Sequence, residues 1–164
     1  APVLGPDRIA LDAVDELHRR FAELVAYVQR LDGDRLQVLA VGGTVTERFE
    51  VPLWSQGVEQ GVSGRVARTG RPALVHDTAL DPDHLGAELV DPAKADEVPL
   101  RSQLAVPLVV EGRVWGILSI QASAPSAYTS DDVLLLETVA AQVAAALHRS
   151  ELADELRRAR DAAR

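Results

Sequence analysis

The 164-residue chain has no cysteine, no methionine, one lysine against sixteen arginines, and only six aromatic residues. Without cysteine there can be no disulfide, no thiolate catalysis, no thiolate metal site and no cofactor attached through a thioether. Also missing is any apolar run of the roughly 20 residues that a membrane span needs. The opening APVLGPDRIA lacks the basic and long apolar regions of a signal peptide. The chain therefore reads as soluble and cytoplasmic, and the absence of methionine even at position 1 reads as a processed protein or, the preferred reading, a piece of a longer one. The bias to arginine reflects coding more than chemistry. Positive charge is in deficit: the net charge is -8 and the pI about 4.9, so a nonspecific grip on nucleic acid or an anionic membrane would work against the overall field.

What is present suffices for one domain, since 47% of the residues are hydrophobic. PDRIALDAVDELHRRF sets Ile9, Val14, Leu17 and Phe21 at helical spacing, with Asp7 and Asp12 toward the start, where carboxylates suit the helix dipole. ELVAYVQRLDGDRLQVLAVGG predicts two antiparallel strands joined at Asp32-Gly33-Asp34. TVTERFEVPLWSQGVEQ alternates imperfectly and contains Pro52, so it reads as irregular.

GVSGRVARTG, residues 61–70, invites a phosphate-loop reading but has neither the Gly-Lys-Ser/Thr ending nor the G-x-G-x-x-G fingerprint. It reads instead as a short helix from Val62 to Thr69, entered through Gly61 and ended at Gly70. Val62, Val66 and Ala67 would turn inward, and Gly64 would let the helix approach the sheet. Arg65 and Arg68 would serve as partners for the acidic loop downstream. PALVHD is a short strand. DTALDPDHLGAELVDPAKADEVPL, with three prolines and seven acids, is a long solvated loop containing a helical turn. LRSQLAVPLVVEGRVWGILSIQAS predicts two central strands hinged at Glu111-Gly112, apolar on both faces.

Thr129 or Ser130 caps the last helix, with Asp131 and Asp132 in its first turn. Leu136, Ala140, Val143 and Leu147 form a stripe suited to packing on the sheet. Leu152, Leu156, Ala159 and Ala163 lie on a second stripe, because five residues from Leu147 to Leu152 advance about 140°. Residues 1–150 thus make the domain, and 151–164 extend its last helix toward a partner helix; a frayed terminus is the alternative.

In order and spacing, GVSGRVARTGRPALVHD, the acidic loop, RSQLAVPLVVEGRVWGILSIQAS and AYTSDDVLLLETVAAQVAAAL resemble a GAF domain over about residues 9 to 150. The resemblance implies an α/β (α+β) fold: a six-stranded antiparallel sheet, terminal helices on one face and a pocket under a loop and short helix on the other. It also implies a sensory or dimerising module of histidine kinases, cyclase-type output proteins, phosphatases or transcription regulators. The family's known ligands fit poorly. Where cyclic-nucleotide binders carry Asn-Lys this chain has Gln121-Ala122, Leu118-Ser119 replaces a purine-contacting carboxylate, and Asp132 reads as a first-turn residue. Bilin-binding members and free methionine sulfoxide reductases use cysteine. Haem binders place a histidine where this chain has Asp96, Glu97 and Pro99, and His84 lies too far upstream. His76, Asp77, Asp81, Asp83 and His84 match no metal-ligand spacing. No metal, no cofactor and no visible absorbance are expected.

Ser63 and Ser102 lack a nucleophile elbow, so no catalytic constellation emerges and the domain reads as non-enzymatic. The ligand-binding candidates are Tyr27, Val62, Ser63, Arg101, Trp115 and Ser119. Trp115 alternates with Ile117 and Ser119, which places all three on one face, where the indole stacks on a ligand or fills its space. Arg101 clamps an anion or pairs with the acidic loop, the loop being preferred. Trp54 is the other indole. Two functions remain open: a sensor that binds a small, largely apolar molecule and signals through its terminal helices to an output domain, or a ligand-free relay with a self-filled pocket. Both imply a homodimer through the first and last helices.

Overall fold

The computed structural model describes residues 5–21, 25–43, 55–83 and 100–164. Helix α1, Pro6–Arg20, begins with proline in its first turn and carries Asp7 there, with His18, Arg19 and Arg20 in its last, so both ends complement the helix dipole. Ile9, Val14, Leu17 and Phe21 are all buried, as their spacing predicts. Strands β1 (Val25–Asp32) and β2 (Arg35–Gly42) form the expected hairpin, turned at Gly33 with φ +62°. Of the stretch read as irregular, residues 44–54, including Trp54, lie outside the described residues, but its end forms strand β3, Ser55–Gly57. Three residues are too short a run for alternation to reveal.

Helix α2, Gly61–Thr69, ends on Gly70 in the left-handed conformation, with the Gly70 N–H bonded to the Val66 carbonyl. Strand β4 (Ala73–Val75) and a 3₁₀ turn at Thr78–Leu80 follow. Residues 84–99 of the acidic loop, His84 among them, lie outside the described residues. Strands β5 (Ser102–Val110) and β6 (Arg113–Ala122) are joined by Glu111-Gly112, both at positive φ, which is the pattern of a type I′ turn. The 33-residue helix α3, Ser130–Ala162, starts at Thr129 with a capping box in which Asp132 bonds back to the Thr129 N–H at 2.8 Å. Asp132 is thus structural.

The six strands pair antiparallel in the order β3-β2-β1-β6-β5-β4. Helices α1 and α3 cover one face, where Ala26, Val28, Leu104, Val106, Leu118 and Ile120 meet Val14, Leu17, Leu136, Val139, Val143 and Leu147. On the opposite face Val62 and Val66 of α2 pack with Leu36, Ala73, Val75, Ala105 and Ile117. The two central strands are therefore apolar toward the terminal helices, but toward α2 they carry Gln103, Ser119 and Gln121 as well, which corrects the expectation that both faces are apolar.

Strict alternation fails in two ladders: in β2, where Leu39 is extra opposite Val28 and Gln29, and in β6, where the consequence is larger. Leu108 pairs with Gly116 and Val109 with Val114, so Trp115 is an extra residue in β6, a β-bulge. The bulge turns Trp115 onto the α3 face, into the cluster of the terminal helices, while Ile117 stays with the α2 cluster. The expectation that Trp115 shares a face with Ile117 and Ser119 is thereby corrected: period-two reasoning holds only in an unbroken ladder. Next to the bulge, a Cβ on Gly116 would sit 2.0 Å from the Gln29 carbonyl oxygen of the neighbouring strand. Replacement Gly116→Ala must push β1 and β6 apart. Its unfolding free energy, measured by urea titration, is expected to fall by about 2–3 kcal/mol; an unchanged midpoint would contradict this packing.

Candidate functional site

Beneath α2 the sheet presents a group of buried polar side chains. Tyr27 and Gln29 come from β1, Gln56 from β3, Gln103 from β5, Ser119 and Gln121 from β6, and Ser63 from α2. Alternation brings them together, since Tyr27 pairs with Ser119 and Gln103 with Gln121 across neighbouring strands. Gln103 Nε2 donates to the Tyr27 hydroxyl and to Ser119 Oγ, each at 3.0 Å, and Tyr27 Oη lies 3.4 Å from Ser63 Oγ. A second chain runs from Gln29 Nε2 to Gln56 Oε1 at 3.2 Å and from Gln56 Nε2 to the Gln60 carbonyl at 2.6 Å. Gln29 Oε1 is buried and has no hydrogen-bond partner among the described residues. Such an orphan acceptor costs about 1–3 kcal/mol.

Of the six residues expected to bind a ligand, Tyr27, Ser63 and Ser119 meet in this group, and Val62 lines it from α2. The other two do not. Arg101 is exposed and pairs with Asp77, Nη2 to Oδ2 at 2.9 Å, which is the preferred loop pairing. This guanidinium, together with the Ala79 N–H, holds the Asp77 carboxyl below its ordinary range. Trp115 lies across the sheet, donating its indole N–H to Glu151 of α3 with the Arg30 guanidinium 5.4 Å above its ring. Around it, Arg30, Trp115, His148, Glu151 and Leu152 border a groove of about 520 Å³ at the far end of the domain.

The glutamines Gln29, Gln56, Gln103 and Gln121 escaped the sequence reading. Their signal was available in β5 and β6, where Gln103, Ser119 and Gln121 interrupt apolar strands with period two. The arginines of α2 also find their places. Arg65 bridges Asp81 and Asp83, each at 2.9 Å, while Arg68 donates to the Val58 carbonyl. Gly64 admits that same carbonyl, 2.5 Å from where a Cβ would stand, so what approaches it is the turn before α2 and not the sheet. Among the described residues no three His, Cys, Asp or Glu side chains converge as a metal site would require.

The family model for the GAF domain matches residues 6–148. The chain belongs to the GAF domain family. It is 28% identical over 132 residues to the nitric oxide reductase transcription regulator NorR2 of Cupriavidus necator, covering 78% of this chain and 24% of the regulator. Among solved structures it resembles the GAF domain of a phosphoenolpyruvate-protein phosphotransferase from Coxiella burnetii, with TM-score 0.78, 18% identity and coverage of 94% of this chain and 88% of that one. It also resembles the free methionine-R-sulfoxide reductase of Neisseria meningitidis, with TM-score 0.75, 20% identity and coverage of 90% and 81%. This GAF fold is therefore one that serves both signalling proteins and enzymes. No helix among the described residues is long and apolar enough to cross a membrane.

Two predictions follow from the side chains on either face. Burial pushes the Tyr27 hydroxyl above its ordinary 10.0, against the pull of its hydrogen bonds to Ser119, Ser63 and Gln103. The unfolded chain thus loses this proton first as pH rises, so the stability is intact below pH 10 and declines from there toward the folded-state value. Tyr27→Phe should lower stability at pH 7 by about 1 kcal/mol and flatten the decline above pH 10, as read by urea titration across pH. Trp115→Phe keeps the ring under Arg30 but removes the N–H that Glu151 accepts. Amide exchange along 151–162 should quicken while Leu136–Leu147 stays protected; equal exchange in both would deny the clamp.

Proposed function

We propose that this GAF domain is a non-catalytic sensory module of a larger cytoplasmic signalling protein. In this reading the face under α2 receives a small molecule and the terminal helices carry the response. The observation that supports it most is the buried polar group itself, gathered from five elements and left with an unmatched acceptor at Gln29. A fold does not place seven polar side chains on the inner face of a sheet for stability alone, because each must be matched or costs free energy. The group is also poorly equipped for catalysis: its buried polar side chains include no histidine, carboxylate or thiol. The relative from Cupriavidus necator is named a transcription regulator, and we take a regulator or kinase as the kind of parent protein this domain serves.

The path of the response runs through the bulge. Ile117 touches the α2 cluster, and two residues before it Trp115 holds Glu151 of α3. A ligand that favours one position of α2 over another would bias β6 and hence α3, as coupling by differential affinity requires. The helices then act on a second copy. Leu134, Leu152 and Leu156 of α3 are 66%, 49% and 73% exposed, with Leu11 of α1 at 42%, a set of apolar side chains that a homodimer through these helices would cover.

A second reading draws on a specific observation: most of the polar group satisfies itself, Gln103 with Tyr27 and Ser119, Gln29 with Gln56. On that reading the pocket is filled by its own side chains and the domain is a dimerising relay. Native mass spectrometry of the protein as isolated separates the two. A dimer carrying a retained small molecule is the expected result; a bare dimer would favour the relay, and a monomer at all concentrations would contradict both.

A further inference from the structure

The polarity of the glutamine row is set by the backbone. The Gln60 carbonyl can only accept, so the end of Gln56 that meets it must be the amide nitrogen, as the 2.6 Å contact has it. Gln56 Oε1 then faces Gln29 and can only accept from Gln29 Nε2. Reversing Gln29 would set two carbonyl oxygens against each other. The atom of Gln29 left over is therefore its oxygen, in a residue with 0% exposure, and what it lacks is a donor. Two residues earlier on the same face of β1, Tyr27 Oη is engaged by Gln103 and Ser119, and Ser63 Oγ stands 3.4 Å from it, a long contact that leaves the serine hydroxyl able to donate elsewhere.

The group is also uncharged. The cations of the neighbouring segments are engaged by other partners: Arg65 by Asp81 and Asp83, Arg101 by Asp77, Arg30 over the Trp115 ring and Arg35 by Ser55. An ion entering the group would lose its hydration and find no counter-charge among the described residues. We propose that the α2 face takes an uncharged carboxamide. Its N–H donates to Gln29 Oε1, its carbonyl accepts from the Ser63 hydroxyl, and its apolar part lies on Leu36, Val62 and Ile117. The assignment rests on the sensory reading above and replaces the largely apolar ligand expected from sequence with one that has a defined polar end.

The test uses the 164-residue chain and ligand-observed NMR titrations with matched trios of fragments: a primary carboxamide, its N,N-dimethyl form and the corresponding carboxylate on one apolar scaffold. Primary carboxamides should bind at least about tenfold more tightly than either counterpart, a step of about 1.4 kcal/mol. They should lose a similar factor in Gln29→Leu, whose fold is checked by its two-dimensional amide spectrum. The three-way comparison on the unsubstituted chain stands whether or not that variant folds. Carboxylates or dimethyl amides binding as well as primary amides would overturn the carboxamide assignment and leave a ligand-binding domain. Silence in all three arms would overturn the assignment and the sensory reading together.

Discussion

The contact between β1 and β6 at Gln29 and Gly116 is the constraint on which both faces of this domain depend. The Gln29 carbonyl occupies the space where any larger residue at 116 would place its Cβ. On one side of that contact the Gln29 side chain anchors the buried polar row under α2. On the other, the residue just before Gly116 is the bulged Trp115, which reaches α3. A bulge needs a neighbour that lets the bent strand draw close, and glycine at 116 supplies it. One backbone irregularity thus assigns the indole to the helices and leaves Ser119 and Gln121 to the polar group.

Charge is arranged around the polar group and kept out of it. Arg65 ties α2 to the segment at Asp81 and Asp83, and Arg101 ties the start of β5 to Asp77 at the head of the same segment. Desolvation and partner work against each other at Arg65: burial lowers its proton affinity, but the hydrogen bond to Asp81 prevails and raises it. These exposed and half-exposed pairs contribute little net stability. Their effect is geometric, since the two arginines tie residues 77–83 to α2 and to the start of β5.

The architecture was legible because its signals are local and repeated. The spacing from Ile9 to Phe21, the Gly33 and Glu111-Gly112 turns, the Gly70 terminus and the Thr129–Asp132 cap each follow from residue chemistry that operates within a few positions. Strand β3 was not legible, because three residues cannot show a period and its pairing to β2 is a tertiary fact. The candidate group was legible by half. Tyr27, Ser63 and Ser119 meet in it with Val62 beside them, whereas Trp115 lies on the other face, which could not be read because nothing in GRVWGILSI marks which residue is extra. Gln103 and Gln121 show in the sequence only as period-two interruptions of apolar strands, and what they and Gln29 pair with is a tertiary fact, since the partners lie 27 and 16 residues away.

The long helix is held by two different kinds of contact along its length. Up to Leu147 its buried side chains lie on a stripe that packs on the sheet and on α1, and this part has no freedom to shift without opening the core. After Ser150 the burial ends, and Leu152 and Leu156 stand on a different side of the helix, exposed. The Trp115–Glu151 bond falls at that turning point, with His148 3.5 Å from Glu111 of the β5–β6 turn beside it. Two polar contacts at the end of a packed stripe are far cheaper to exchange than the stripe itself, because water can replace a partly exposed hydrogen bond but not a buried leucine. The helix is therefore held firmly up to Leu147 and lightly from Glu151 onward, where polar contacts replace buried leucines.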